Sequence, residues 1–345
     1  MRSSIFLLLA IAVAAAVFWA ARSIGSDYVF FAGYTILQFV VLATAWNILG
    51  GYTGYVNFGT AAFFAVGAYT SVFFHKVYPL PIPVLVMIAA IVSGLIGLGT
   101  GYLTLRLRGA FFAIATLALA VVLQTLIVNW DLVGGSRGAY VVRPREIAII
   151  GPYIQYLFLI MLVLAVAVVV TSRIIERSRL GYGFGSIRDD ELAAEASGVP
   201  TLKLKLIATT LSGAFMGMAG APFPYYIGYL EPSSAFGLPY AVNSIAMPMI
   251  GGTTTWIGPL IGALLLGTLQ QIANVTISSA VNLLLVGILL VAFVIIAPQG
   301  IVGLVQARFR KKKSSGKKPS WSRSFSKLKD SGNGSAASSR STGST

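Results

Sequence analysis

R-I-I-E-R-S-R-L-G-Y-G-F-G-S-I-R-D-D-E-L-A-A-E-A-S-G-V-P-T-L-K-L-K, Arg173 to Lys205, is the first long polar stretch of the chain, and apolar runs flank it on both sides. It carries Arg173, Arg177, Arg179, Arg188, Lys203 and Lys205. Loops rich in Lys and Arg stay on the cytoplasmic side of a membrane, so this stretch orients everything around it.

A helix needs about 20 apolar residues to cross a bilayer core. Towards the N-terminus such runs are Ile5 to Ala21, Tyr28 to Leu49, Asn57 to Phe74, Ile82 to Leu105, Ala110 to Asn129 and Tyr153 to Ser172. Six crossings before a cytoplasmic loop place the N-terminus in the cytoplasm. Beyond the loop, Leu206 to Phe223, Leu238 to Ile250, Ile257 to Ala273 and Val281 to Ala297 return the chain to the same side. The expected fold is an all-α membrane protein, a polytopic helical bundle of about ten transmembrane helices. Its membrane domain would be residues 1–305, with 173–205 as the cytoplasmic segment, followed by a basic tail, 306–345. Met1 to Ser23 also has the form of a signal peptide, with Arg2, an apolar run and small residues at Ala20 and Ala21. Cleavage would leave nine spans in the same orientation. Leu238 to Ile250 is short and holds Pro239 and Pro248, which suits a tilted, broken or re-entrant segment.

Composition supports lipid as the solvent. Hydrophobic residues make up 57% of the chain and charged ones 10%, against about 25% charged in soluble domains. All ten acidic residues lie in or beside polar segments. Of the net +15, the tail from Gln306 supplies +10, from eleven Lys or Arg against one Asp. A basic tail following an apolar run reads as an anchor at anionic lipid on the cytoplasmic face, and no nucleic-acid partner is expected. From Ser314 the tail is rich in Ser, Gly and Lys and is expected to be disordered, having too little apolar area to offset its ordering entropy.

Catalysis finds little support. The chain has no cysteine, which excludes thiolate metal sites, disulfides and cysteine nucleophiles. His75 is the single histidine, beside Lys76 at the outer end of the third span. No G-x-S-x-G, paired carboxylates or metal-ligand cluster occurs in the spans. A transport subunit that is not itself an enzyme is the better reading. The absence of ionisable residues at membrane depth argues against proton coupling, whereas sodium held by backbone carbonyls of broken helices stays open.

Arg188 to Val199 offers another energy source. Asp189 and Asp190 suit a helix N-terminus, and Gly198 suits its C-terminal end. On the resulting short helix Leu192, Ala196 and Val199 form an apolar stripe, with Asp190, Glu191, Ala194 and Glu195 beside it. Such a knob fits a partner's groove better than an anionic membrane surface. Two glycine interruptions, Gly50, Gly51, Tyr52, Thr53 and Gly54 with Asn57, and Gly251 with Gly252, fall in opposite halves of the chain. They read equally as hinge or pathway elements and as ordinary cytoplasmic turns.

These residues resemble a known family. Arg188 to Pro200 with Leu206 to Ala221 is similar to the coupling segment and following helix of bacterial ABC-importer permeases, specifically the LivM-type branch for branched-chain amino acids. W-N-I-L-G-G-Y-T-G-Y-V-N-F-G-T-A-A-F-F-A-V-G-A-Y-T (Trp46 to Thr70) resembles that family's N-terminal signature. Phe111 to Ala120 with Gly134 to Gly138, then Tyr226 to Phe236 and Ile250 to Ala263, resemble its central and C-terminal motifs. The resemblance implies a bacterial inner-membrane permease with both termini cytoplasmic. Its partners would be a second, LivH-type permease, two cytoplasmic ATPases and an extracytoplasmic solute-binding protein. It implies that Asp189, Asp190, Glu191, Ala194, Glu195 and Gly198 contact an ATPase. No cofactor is expected in this chain, ATP and Mg being held by the ATPases. Urea and short-amide permeases share much of the pattern and give the alternative function, and a sodium-coupled carrier gives the second.

Overall fold

Two long helices open the chain, α1 (Ser3–Ile24) and α2 (Asp27–Thr53). The computed structural model describes residues 3–104, 107, 109–142, 146–147, 151–276, 287–288, 291 and 300–304. The expected tail, 306–345, lies outside the described residues, as does nearly all of the expected tenth span, Val281 to Ala297. Everything below belongs to the compact unit Met1–Val302.

With no water in the hydrocarbon to satisfy backbone groups, long apolar runs become helices. After α2 come α3 (Thr60–Val77), α4 (Ile82–Thr104) and α5 (Ala110–Val128). A strand pair, β1 (Ala139–Tyr140) and later β4 (Tyr229–Leu230), ties the loop after α5 to the second half, and β2 (Glu146–Ile147) pairs with β3 (Gly151–Pro152). Then follow α6 (Tyr153–Glu176), α7 (Arg179–Asp189), α8 (Glu191–Ala196), α9 (Thr201–Gly220), α10 (Phe223–Ile227), α11 (Pro232–Ala235), α12 (Leu238–Gly251) and α13 (Ile257–Thr276).

Seven of these segments are long and apolar enough to cross a membrane: α1, α2, α4, α5, α6, the stretch Thr201–Ile227 and α13. The chain is therefore a multi-pass helical membrane protein, but the described residues do not show ten spans. The expected third span is the short α3, and the expected eighth is the 14-residue α12, about 20 Å long with Pro248 inside it.

Burial separates centre from periphery. Every residue of α2 from Gln38 to Leu49 is buried, and so is every residue of α3 from Thr60 to Val72. Helices apolar on all sides belong in a core. Only 11% of α1 and 17% of α5 is buried, which leaves their side chains for lipid. Small residues let the central helices meet at their backbones. A Cβ on Gly67 of α3 would lie 2.0 Å from the Gly217 carbonyl oxygen of α9, and one on Gly220 would lie 1.9 Å from that of Phe64. Gly217 in turn faces Ser93 of α4. A second such seam joins α12 to α13 through Gly251, Gly258 and Gly262. Gly99, by contrast, has nothing within 4 Å.

Candidate functional site

One end of the bundle gathers the last turns of α2 and α6, the helices α7 and α8, the start of α9 and the junction between α12 and α13. It is the end that carries Arg173 to Lys205. The first turn of α1 reaches it too, since Phe6 covers the guanidinium of Arg173 at 3.5 Å from the ring centroid.

The helix expected from Asp189 to Gly198 is the shorter α8, and a second helix, α7, precedes it. Ser178 caps α7, its Oγ accepting from the Leu180 backbone N–H at 3.2 Å. Asp190 then turns extended, at φ −161°, and its Oδ1 accepts from the Ala193 N–H at 3.1 Å to start α8. Asp189 therefore ends the first helix rather than opening the second. Gly198, at φ +84°, follows the last turn of α8, as its sequence position suggested.

The facing of α8 differs from the expected stripe. Ala194 is buried and Val199 half-buried, whereas Leu192 is 62% exposed and Ala196 is exposed. Glu191 explains the rotation. Its Oε1 lies 2.7 Å from Nζ of Lys205, and its Oε2 accepts the hydroxyl proton of Tyr55. Lys205 also donates to the Tyr55 oxygen at 3.2 Å, and the Tyr55 ring stands edge-on to Phe112 at 5.1 Å. Lys205 is only 3% exposed, because α9 begins at Thr201 and carries it inside the bundle, not at the edge of a loop. Of the six expected coupling residues, Glu191 and Ala194 thus face the bundle, while Asp189, Asp190, Glu195 and Gly198 face outward. Tyr182 of α7, 75% exposed, extends the outer face.

The first glycine interruption is not a simple turn. Gly50, Gly51, Tyr52 and Thr53 remain helical at the end of α2, and Gly54 closes it at φ +79°. The chain then climbs back into the bundle. The Asn57 carbonyl accepts from Nε1 of Trp46 at 2.8 Å, two turns before the end of α2, or about 10 Å inward. Phe58 N–H donates to Oγ1 of Thr116, in the middle of α5, at 3.1 Å. Asn57 Oδ1 then accepts from Gly59 N–H at 2.7 Å, just ahead of Thr60, where α3 begins. The expected span from Asn57 is thus an extended re-entrant segment followed by a helix. Irregular backbone at such depth is tolerated only inside protein or along a cavity. Nearby, the Thr44 hydroxyl of α2 is buried with no hydrogen-bond partner among the described residues.

The structure brings the second interruption against the first. A Cβ on Gly51 would lie 2.6 Å from the carbonyl oxygen of Thr253. Tyr52 OH contacts Ser172 Oγ at 2.8 Å and donates to Oε2 of Glu176 at 3.5 Å. The same Oε2 accepts the Trp256 backbone N–H at 2.6 Å, one residue before α13. Further in, Gln270 of α13 donates to Asn243 of α12 at 2.9 Å. Sequence reasoning singled out neither Glu176, Lys205, Tyr55 nor Trp256 as functional. Glu176 and Lys205 had a signal: both are charges at the edges of apolar runs in a chain only 10% charged.

Away from this end, an apolar cleft of about 580 Å³ lies between α3, α4 and α5, walled by Val66, Phe73, Ile96, Leu126 and Trp130. His75, at the end of α3, pairs with Tyr225 at 3.4 Å.

A buried-core helical bundle with apolar, exposed outer helices, a re-entrant segment and a helical knob at one end is a multi-pass helical membrane protein. The chain belongs to the family described as the permease component of branched-chain amino acid transport systems, whose family model matches residues 28–294. It is 26% identical over 304 residues to the high-affinity branched-chain amino acid transport system permease LivM of Salmonella typhimurium, covering 81% of this chain and 71% of the relative. The probable branched-chain amino acid permease LivH of Methanocaldococcus jannaschii is 25% identical over 282 residues, 77% of this chain and 88% of the relative. The ribose import permease RbsC of Bacillus subtilis is 27% identical over 140 residues, 39% of this chain and 43% of the relative. No solved structure matches the chain.

Proposed function

We propose that the chain translocates branched-chain or other hydrophobic amino acids across the bacterial inner membrane as one permease of an ATP-driven importer. In this reading a LivH-type permease pairs with it, two cytoplasmic ATPases bind ATP and Mg, and an extracytoplasmic protein delivers the solute. The basic end faces the cytoplasm, in keeping with its arginines and lysines.

The observation that carries the reading is the build of α8. It is capped by Asp190, seated by Glu191 and Ala194, and presents Leu192 and Glu195 outward, flanked by the exposed Asp189 and Gly198. That is a rigid knob with an apolar tip and an acidic rim, suited to a groove on an ATPase. Closure of the ATPases would shift it, and access to the solute path would alternate between the two sides. The glycine junctions at Gly51 and Gly252 then form the cytoplasmic gate, and Asn57 with the re-entrant segment lines the route above it. An amino acid zwitterion selected by a separate binding protein needs only a permissive passage, consistent with spans that hold charge only at their ends.

The test is uptake of radiolabelled leucine, with urea in parallel, by cells carrying the intact system or Glu195→Arg with Gly198→Trp in this subunit. Leucine uptake is expected in the parent. The double variant should reach the membrane, fail to retain its ATPases on purification and take up nothing. Uptake that survives the double substitution returns the sodium-coupled carrier. Urea uptake in place of leucine moves the assignment to the amide permeases.

A further inference from the structure

The outer face of α8 accounts for docking, yet its inner face is built at a cost that docking does not require. A six-residue helix can be seated by apolar side chains alone, as Ala194 does here. Instead it drives a carboxylate inward to meet a lysine, with the two side chains only 15% and 4% exposed. Desolvating both charges is expensive, and removal of either leaves the other uncompensated. Such a pair holds two elements at a fixed separation more stiffly than apolar contacts, which slide.

The pair also has a third member on a separate part of the chain. Tyr55 gives its proton to Glu191 and accepts from Lys205. Tyr55 is the first buried residue of the re-entrant segment, with exposed Gly54 and Val56 on either side. Two residues on, the Asn57 carbonyl is fastened to Trp46 and its side chain holds Gly59 at the entry to α3. Arg188, at the end of α7, packs its side chain over Gly54, so the segment is gripped from both short helices. A displacement of α8 therefore has a continuous polar route to the backbone at membrane depth.

We propose that the contact of Glu191 with Lys205 and Tyr55 is a positioning link that transmits movement of α8 to the re-entrant segment, separate from ATPase docking. The inference rests on the transport reading above. Glu191 and Lys205 act as a strut, and Tyr55 is its attachment to the segment.

The experiment uses the full complex in lipid nanodiscs. The chain has no cysteine, so Val56→Cys on the segment and Tyr102→Cys near the end of α4 take nitroxide labels at defined places in this subunit. Both positions are exposed. The label separation is measured by pulsed electron resonance before and after trapping with ATP and vanadate. Otherwise unsubstituted, the labelled pair should shift on trapping. Glu191→Gln or Lys205→Met should keep the ATPases bound and abolish the shift. The exchanged pair, Glu191→Lys with Lys205→Glu, should restore it, and Tyr55→Phe, which spares the ion pair, should reduce it. A shift that persists in both single variants overturns the link alone. Loss of the ATPases in the single variants, or an exchanged pair that assembles without a shift, overturns it as well, showing a docking or folding role. Absence of any shift without those substitutions overturns the link, whereas loss of leucine uptake by the intact system is what overturns the transport reading on which it rests.

Discussion

Glu176 and Trp256, one at the end of α6 and the other just ahead of α13, are joined by a hydrogen bond of 2.6 Å from the Trp256 backbone N–H to the Glu176 carboxylate. The same carboxylate takes the Tyr52 hydroxyl, so one side chain spans both glycine interruptions. An acid before a helix start also meets the positive end of the helix dipole.

Glu176→Ala should therefore orphan the Trp256 N–H and leave the Tyr52 hydroxyl to Ser172 alone. A charged hydrogen bond of this kind contributes about 1.5–3 kcal/mol. The thermal midpoint of the purified protein, followed by fluorescence-detected size exclusion, should fall. Glu176→Gln, which retains an acceptor oxygen, should fall less.

The α3–α9 seam has no space for a side chain. Gly67→Ala would place a methyl 2.0 Å from the Gly217 carbonyl oxygen and force the helices apart, at a cost of about 1–3 kcal/mol. Gly99→Ala serves as the contrast, since open space surrounds that position. Alanine is favoured over glycine in helices by up to about 1 kcal/mol, so the second variant should hold or raise the midpoint that the first lowers.

Asp190 has a structural part that its charge does not explain. Asp190→Asn keeps an oxygen for the Ala193 N–H and should leave α8 intact, whereas Asp190→Ala loses the cap at about 1 kcal/mol. Hydrogen exchange at the Ala193 amide reports the difference. Roughly fivefold faster exchange is expected in the alanine variant only, as about 1 kcal/mol implies.

Much of this was legible in the sequence, and the exceptions have physical causes. Long apolar runs gave the helices of α1, α2, α4, α5 and α6, because lipid allows few alternatives. Asp190 and Gly198 marked the ends of α8 by local chemistry, which short-range pattern captures. The preceding helix α7 is not apparent from local pattern, since Gly181, Gly183 and Gly185 lower the helix propensity of Arg179–Asp189. The rotation of α8 was missed for a different reason. Its stripe was read from Leu192, Ala196 and Val199, but a distant lysine, fourteen residues on, outcompetes those contacts for the inner face. The re-entrant segment was hidden likewise. Asn57 to Phe74 is apolar enough to cross, and only Trp46 and Thr116, from two other helices, hold its first residues extended. Glycine placement along the chain does not show that Gly51 and Thr253 touch, because that contact joins residues some two hundred positions apart.

The glycine seams described for α3 with α9 and for α12 with α13 limit how this protein can change shape. Where backbone lies against backbone there is no side chain to change rotamer, and a slip of one residue along either seam would drive carbonyls into methyl groups. Each seam therefore behaves as a weld, and the freedom left to the bundle is in the interfaces lined by larger side chains. The central α2 has such interfaces, where Phe30 meets Phe158 of α6, Tyr34 stacks on Tyr226 of α10 and Phe39 lies against Tyr240 of α12. It is the axle in this arrangement, and the welded pairs beside it turn as solid pieces or not at all.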